Sequence, residues 1–234
     1  AGMFYPGNRE DLADCINTCL AEADSAGLKP KAVIAPHAGY EYSGPVAGSA
    51  FAALAPVAEN ITRVILLGPS HRVPFQGIAV SGADAFETPL GSIPLDRKAI
   101  EAVLTLSRVI ELDAAHAQEH SLEVQIPFLQ EVLGDFSLVP LVVGDARPEE
   151  VEQVLERLWG GPETLLVISS DLSHFHDYET ARRLDAATSR AIEALALEDI
   201  DYDHACGRAP VSGLLLYARQ HGLILKTIDL RNSG

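Results

Sequence analysis

The amino-acid sequence predicts a single α/β domain of three layers, in which a mostly parallel or mixed sheet is flanked by helices. Short aliphatic runs alternate with helical patterns along the chain, as is typical of layered α/β folds. The runs are nearly continuous in apolar residues, which suits strands that are buried on both faces. They cover residues 32–35, 64–67, 138–143 and 165–168. We expect one domain over residues 1–234, because the sequence carries no internal repeat and no linker-like tract.

Helical periodicity predicts the flanking layers. Asn8, followed by Asp11, is expected to cap a first helix that runs through Ala26 and ends at Gly27. Pro127 falls inside another helical pattern, where it either kinks the helix or marks its first turn. The further helical patterns cover residues 46–58, 97–106, 122–133, 148–158 and 179–197.

One segment, residues 77–95, departs from the alternation of strand and helix. Pro89, Gly91 and Pro94 punctuate it, so we expect a strand followed by a β-turn excursion. An excursion of this kind adds antiparallel pairing to an otherwise parallel sheet. The central sheet is therefore expected to be mixed if this strand joins it.

The composition argues against several classes of protein. Seventeen basic residues against 33 acidic ones give a formal net charge of −16, which would repel nucleic acid and anionic lipid surfaces. Apolar runs stay well short of the roughly 20 residues that a membrane-spanning helix needs. Cys15 and Cys19 lie four residues apart on the first predicted helix and are expected to be small buried apolar residues. We therefore expect a cytoplasmic protein without a nucleic-acid partner or membrane insertion.

Three histidines follow predicted strands. His37, His71 and His174 each lie within six residues of the end of an aliphatic run. In open α/β sheets, the carboxyl ends of parallel strands form the edge at which ligands bind. A single histidine in such a place is usually a loop or core residue. The shared position of all three is what predicts a functional site.

Cys206 precedes the last helical pattern and stands two residues before Arg208. A helix N-terminus and a neighbouring arginine both lower a thiol pKa, so this position predicts a thiolate that binds a metal or attacks an electrophile. A buried, inert cysteine is the alternative. Two imidazoles and one thiolate would form a three-ligand set with open positions, as catalytic metal sites have.

Two further residues have more than one interpretation. His120 opens a predicted helix beside Glu119, and it is an outer partner of the site, a base or a structural cap. Glu119 is expected to favour that helix end electrostatically. Asp171 lies three residues before His174. Its carboxylate orients the ring, holds a metal-bound water, or caps the helix that follows.

Five motifs, in order along the chain, carry a family resemblance. They are PHAGYEYSG at 36–44, LGPSH at 67–71, EHSLEVQIPF at 119–128, SSDLSH at 169–174 and CGRAP at 206–210. Together they resemble the Memo family, whose prokaryotic members are called AmmeMemoRadiSam system protein B. The family is similar in fold to the class III extradiol ring-cleaving dioxygenases, which are non-haem iron enzymes.

The resemblance implies that His37, His71 and Cys206 are metal ligands. It also implies that Asp171 and His174 complete the pocket, with His174 in the place of the dioxygenase acid/base histidine. Those dioxygenases use two histidines and a carboxylate, whereas a cysteine supplies a softer ligand that favours copper or zinc over a ring-cleaving iron site. From the resemblance to non-haem iron enzymes and the soft third ligand together, we expect iron or copper, with zinc as the alternative cofactor, and an oxidoreductase-like activity. His174, Asp171 and His120 are the expected catalytic residues, acting on a small-molecule or peptide ligand in the cleft.

Two other functions remain open at this point. A metallohydrolase would use zinc-activated water in the same cleft and would work without oxygen. A non-catalytic module would keep the pocket to bind a peptide or a partner protein.

Overall fold

The computed structural model describes residues 1–23 and 27–232. The strands are β1 Ala32–Ala35, β2 Arg63–Pro69, β3 Ile78–Val80, β4 Ala85–Thr88, β5 Gly91–Pro94, β6 Val109–Glu111, β7 Ser137–Val143 and β8 Thr164–Ser169. The helices are α1 Arg9–Ala21, α2 Tyr40–Ala52, α3 Arg97–Val103, α4 Asp113–His116, α5 His120–Glu123, α6 Ile126–Val132, α7 Pro148–Leu158, α8 Tyr178–Glu193 and α9 Arg208–His221. Short 3-10 turns lie at Ala58–Asn60 and Leu197–Asp199.

A six-stranded mixed sheet forms the central layer, in the order β1-β8-β2-β7-β3-β6. The first four strands in this order are parallel, whereas β3 pairs antiparallel to β7. The predicted α/β domain with a mixed sheet flanked by helices is thus confirmed. Since β1, β8 and β2 are adjacent and parallel, their carboxyl ends meet at one edge of the sheet.

The central strands are buried along nearly their whole length. Every residue of β8 is buried, as are six of the seven residues in both β2 and β7. Strands covered on both faces need continuous apolar sequence, and this is why the aliphatic runs predicted them correctly. The segment 77–95 forms β3 and the separate two-stranded β4–β5 hairpin, as its proline and glycine pattern indicated.

Several predicted helix bounds were wrong. The helices predicted at 97–106 and 179–197 end earlier, at Val103 and Glu193. The first helix starts as predicted, with the Asn8 side chain accepting a hydrogen bond from the backbone N–H of Asp11, but it ends at Ala21 and not at Ala26. Residues 24–26 lie outside the described residues.

The helix predicted at 46–58 is α2, which starts six residues earlier at Tyr40 and contains Pro45. The carbonyl that Pro45 leaves without a helical donor belongs to the exposed residue Glu41, so water can reach it.

The helix predicted at 122–133 is divided into α5 and α6. Pro127 lies in the first turn of α6, which was one of its two predicted roles and the place where a missing N–H costs nothing. The division matters for function, because α5 begins at His120 and turns its start toward the carboxyl edge of the sheet.

Among the described residues, no helix has the length and apolar character needed to cross a bilayer.

Helices α1 and α2 approach so closely that glycine is required between them. A Cβ atom on Gly48 would lie 2.5 Å from the carbonyl oxygen of Cys19 and 2.7 Å from its carbonyl carbon. Gly48→Ala should therefore lower the free energy of unfolding by about 1–3 kcal/mol, as overpacking does. Gly134→Ala is the control, because a Cβ there meets no described atom within 4 Å. Urea denaturation measures both variants, and equal stabilities would contradict the packing argument.

Candidate metal centre

The carboxyl edge of β1, β8 and β2 gathers side chains from widely separated parts of the chain. His37 lies two residues after β1, and His71 lies two residues after β2. The loop after β8 supplies further groups, and the starts of α5 and α9 complete the set. The six predicted site residues are His37, His71, His120, Asp171, His174 and Cys206.

Two overlapping groups of these side chains have ligand atoms close enough to hold one ion. One group is His37, His71 and His120, and the other is His37, Asp171 and Cys206. Within each group, the ligand atoms lie within 4.8 Å of one another. The Cys206 Sγ lies 3.2 Å from the His37 Nε2. The predicted set of His37, His71 and Cys206 is not itself one of these groups, since it takes His71 from the first and Cys206 from the second, with His37 as their shared member.

The protonation of the His37 ring follows from its neighbours. Its Nδ1 lies 2.8 Å from the Ser169 Oγ, while that hydroxyl donates to the carbonyl of Ser121 at 2.5 Å. The Gln125 amide also donates to the Ser169 Oγ at 2.8 Å. Because a hydroxyl has one hydrogen and Ser169 uses it on Ser121, the His37 Nδ1 must carry the hydrogen of their shared bond. The lone pair of the neutral ring is then on Nε2, which faces Cys206.

Glu119 fixes His71 in the same way. Its Oε1 lies 2.9 Å from the His71 Nδ1, and its Oε2 accepts the His71 backbone N–H at 2.5 Å. The carboxylate also accepts the Ser121 backbone N–H at 2.9 Å. Burial alone would raise the pKa of Glu119, but the bonds from His71 and Ser121 lower it to about 2. Since an ionised carboxylate cannot donate, the His71 Nδ1 carries a hydrogen and its Nε2 holds the lone pair of the neutral ring.

The ring of His120 is held between two other rings. It stacks on Phe4 with a centroid distance of 4.3 Å and on His71 with a distance of 4.7 Å. Its centroid lies 5.6 Å from that of His37 in an edge-on arrangement. The alternative of a structural cap is wrong, because the N-cap of α5 is Glu119. His120 belongs to the cluster.

Asp171 lies between two histidines. Its Oδ1 accepts the backbone N–H groups of His37 and Ala38 at 2.6 and 3.3 Å. Its Oδ2 lies 3.9 Å from the His37 Nε2 and 3.7 Å from the His174 Nε2. Burial opposes ionisation, but the interactions with His174 and His37 lower the pKa of Asp171 to about 2. The capping alternative is wrong, because Asp177 is the N-cap of α8.

His174 lies at the rim of the cluster. Its side chain is 41% exposed, which leaves the ring open to molecules in the cleft. The hydrogen bond with Asp171 raises the pKa of His174 above its usual 6.5, so the ring is more readily protonated than a free histidine.

The predicted low pKa of Cys206 was wrong. Burial, and to a smaller extent the negative charge of Asp171, raise the pKa of this thiol to about 11. The residue does precede α9, as expected, but the Arg208 guanidinium donates to the carbonyl of Ile200 at 2.9 Å. The guanidinium therefore interacts with Ile200 and is not among the groups that lower the pKa of Cys206. Binding a metal cation at the sulfur would release a proton.

Sequence reasoning missed the residues that hold the rings of His37 and His71. Glu119 was expected only to favour a helix end, and Ser169 and Gln125 were not among the predicted site residues. All three are buried. A usable signal existed for Gln125, which is a polar residue among the apolar residues of 124–128 and so predicts a buried hydrogen-bonding role.

A groove of about 800 Å³ opens beside the cluster, on the side of Asp171 and His174. Its walls come from β1, α2, α8 and the extended segment 223–232. Tyr42, Phe175 and Tyr178 line it and are exposed. The volume and the apolar walls suit a small organic molecule or a short peptide.

Burial of His37 sets up a pH-dependent stability. Burial lowers the pKa of His37 from 6.5 to about 4, and the charge of Asp171 opposes this only in part. Between these two pH values, His37 is protonated in the unfolded chain but stays neutral in the folded protein. The contribution of His37 to the free energy of unfolding is therefore complete above about pH 6.5 and is lost as the pH falls toward 4.

Metal-free protein should accordingly lose up to about 3 kcal/mol of unfolding free energy between pH 6.5 and pH 4 because of this residue. Urea denaturation in the presence of a chelator, at a series of pH values, measures the effect. In His37→Gln, which has no ring to protonate, the pH dependence in this range should be weaker by a similar amount. An unchanged slope in the variant would contradict the assignment.

Comparison with known proteins assigns the chain to a family. It matches the family model described as Memo-like protein over residues 1–234. A MEMO1 family protein of Thermotoga petrophila is 36% identical over 251 aligned positions, which cover 97% of this chain and 89% of that protein. The corresponding protein of Aquifex aeolicus is 33% identical, with 100% and 90% covered, and that of Nitrosopumilus maritimus is 31% identical, with 96% and 87% covered. On these matches, the chain belongs to the Memo family.

Proposed function

We propose that this protein binds a divalent transition metal through His37, His71 and Cys206 and uses it in oxidoreductase-like chemistry. The proposal is carried by one observation. Two imidazoles whose hydrogens are held on Nδ1 by Ser169 and Glu119 present Nε2 lone pairs at the edge where a thiol also lies. Neutral imidazoles oriented by fixed acceptors are what a metal ligand set requires, so these residues fit the ion.

The ligand set determines which ions we expect. Two nitrogens and one sulfur suit copper, iron and zinc, and three protein ligands leave positions open for a substrate. Iron or copper is our proposal for the loaded metal, with zinc as the alternative. When bound, such an ion would supply Lewis-acid and redox character to the cleft.

The remaining residues are proposed to bind substrate and move protons. His174 is exposed toward the cleft and its pKa is raised above the usual 6.5 by Asp171, so it holds a proton more readily than a free histidine and can pass it to a bound molecule. Asp171, at 3.7 Å, stabilises the protonated ring, and the centroid of the His120 ring lies 5.6 Å from that of His37. The groove of about 800 Å³ would hold the organic part of the substrate.

The proposed setting is a reducing one. Cys15, Cys19 and Cys206 are free thiols in the described chain. Cys19 is buried and Cys15 is half-buried, in keeping with their expected role as small apolar residues. Free thiols favour our proposal that the protein works in the cytoplasm.

Elemental analysis of protein purified without oxygen tests the proposal. We expect about one transition-metal ion per chain, together with an absorption band from the bond between sulfur and metal. The band should disappear in Cys206→Ser. Protein that carries no stoichiometric metal, and that takes up none on dialysis against iron, copper or zinc, would refute the proposed function.

The groove favours a second candidate function, which is the non-catalytic binding of a peptide or partner protein. Tyr42, Phe175 and Tyr178 present exposed rings at its walls, and aromatic side chains are enriched at binding surfaces. This function predicts capture of a partner without turnover.

Assays of activity distinguish the remaining functions. Oxygen consumption would support the redox proposal, whereas anaerobic hydrolysis with zinc would support a metallohydrolase.

A further inference from the structure

We propose that His120 is a metal ligand, and that the cleft contains an all-nitrogen ligand set of His37, His71 and His120 alongside the set that uses Cys206. The inference rests on the proposed metal-binding function and deepens it. It states that the centre has two alternative third ligands, one of nitrogen and one of sulfur.

The first support is geometric. The ligand atoms of His37, His71 and His120 lie within 4.8 Å of one another. Three atoms at that spacing share a point that lies no farther than 4.8 Å divided by √3, or about 2.8 Å, from each of them. Bonds from zinc to imidazole nitrogen are about 2.0–2.1 Å long. Shifts of less than about 1 Å, which side-chain rotations provide, would complete the site.

The second support is the availability of lone pairs. Ser169 and Glu119 hold hydrogens on the Nδ1 atoms of His37 and His71, which leaves each neutral ring with a lone pair on Nε2. The Nδ1 of His120 is buried and has no hydrogen-bond partner within the described residues. It lies 3.5 Å from the Glu119 Oε1, which already accepts from His71 and Ser121. A buried polar atom left in this state is costly in a residue that only fills space.

The third support is that the ring is already in place. The His120 ring lies between those of Phe4 and His71, and it is nearly parallel to the Phe4 ring, at an interplanar angle of 3°. Turning the ring away from the cluster would break this stack. A ligand that is held in position before the ion arrives loses little conformational freedom on binding.

The two proposed ligand sets differ only in the third ligand and both use His37, so they compete. Its Nδ1 is occupied by Ser169, and Nε2 is the one nitrogen left to bind an ion. One ion at a time can therefore use this ring, and the third ligand is either His120 or Cys206. Imidazole suits the borderline ions Co²⁺, Ni²⁺ and Zn²⁺, whereas thiolate suits the soft ion Cu⁺. The softness of the ion is expected to decide which ligand is used.

Cobalt binding by variants tests the inference. We expect Cys206→Ser to bind Co²⁺ within about 10-fold of the parent affinity, and neither protein to show a band from a sulfur–cobalt bond. Adding His120→Gln to Cys206→Ser should weaken Co²⁺ binding by more than about 100-fold. The matched control adds His221→Gln instead, because His221 lies at the end of α9 and bonds the carbonyl of Tyr217. This control should bind as Cys206→Ser does.

Copper(I) competition supplies the opposite pattern. His120→Gln alone should leave Cu⁺ affinity within about 3-fold of the parent, whereas Cys206→Ser should lower it by more than about 100-fold. Thermal unfolding followed by circular dichroism checks the fold of each variant. His120→Asn, with a smaller amide, serves as a second replacement if the glutamine does not pack.

The outcomes separate this inference from the proposed function. If the parent binds Co²⁺ and Cys206→Ser does not, the all-nitrogen set is refuted and the proposed function stands. The same holds if the double variant binds as well as Cys206→Ser. A parent protein that binds neither Co²⁺ nor Cu⁺ refutes both.

Discussion

Replacing His37 by alanine should abolish metal uptake, with a loss of affinity greater than about 100-fold for every divalent ion tested. His37 is the member that both ligand groups share, so its removal leaves neither group complete. The ring is also the most buried of the cluster, at 1% exposure, and its place cannot be taken by a side chain from the surface. Equilibrium dialysis followed by elemental analysis measures the loss.

His221→Ala is the matched control for this substitution. His221 is also a histidine, but it is exposed and pairs with Glu156 at 3.3 Å, away from the cluster. Its removal should leave metal uptake unchanged. His37→Gln tests whether the loss comes from the missing ligand or from a cavity, since it restores most of the side-chain volume. Normal uptake by both His37 variants would remove the basis of the metal centre.

Glu119→Gln should lower metal affinity by about 10–100-fold, although Glu119 need not touch the ion. Both carboxylate oxygens accept hydrogen bonds, from the ring and backbone of His71 and from the backbone of Ser121. A glutamine must place its NH₂ group against one of these donors. We expect His71 to turn and the free energy of unfolding to fall by about 1–3 kcal/mol.

Glu123→Gln provides the comparison for Glu119→Gln. Glu123 lies in α5, the short helix that Glu119 caps, but its side chain is 38% exposed and accepts a hydrogen bond from Tyr5 instead of one from a histidine ring. Its replacement should leave metal affinity within about 2-fold of the parent. Dialysis and urea denaturation measure affinity and stability separately. Unchanged affinity in Glu119→Gln would show that His71 does not depend on its buried partner.

The fold was predictable where local sequence and tertiary environment agree. β2, β7 and β8 are buried on both faces, so their sequences are apolar without interruption and reveal them. Helix α7 has the predicted bounds, Pro148–Leu158, because a proline in its first turn and buried positions at helical spacing mark it clearly. Neither β6 nor α4 was predicted, since three or four residues with one buried position each give too short a pattern.

The site was predictable in its location more than in its chemistry. His37 and His71 follow parallel strands that lie side by side with β8, so strand positions alone indicated that their side chains meet. The pKa of Cys206 could not be inferred in this way. Local features of the chain suggested a thiolate, but burial and the charge of Asp171 raise the thiol pKa to about 11.

The sequence by itself determined the fold class, the family and the residues that collect at one edge of the sheet. Hydrophobic periodicity and sequence motifs both depend on residues that are close together in the chain. Only the tertiary structure decided which nitrogen of each ring carries a hydrogen, since Ser169 is 132 residues from His37 and Glu119 is 48 residues from His71. It also decided that His120 faces the cluster. Hydrogen bonds and desolvation depend on distances between segments that are remote in sequence, and no local pattern encodes those distances.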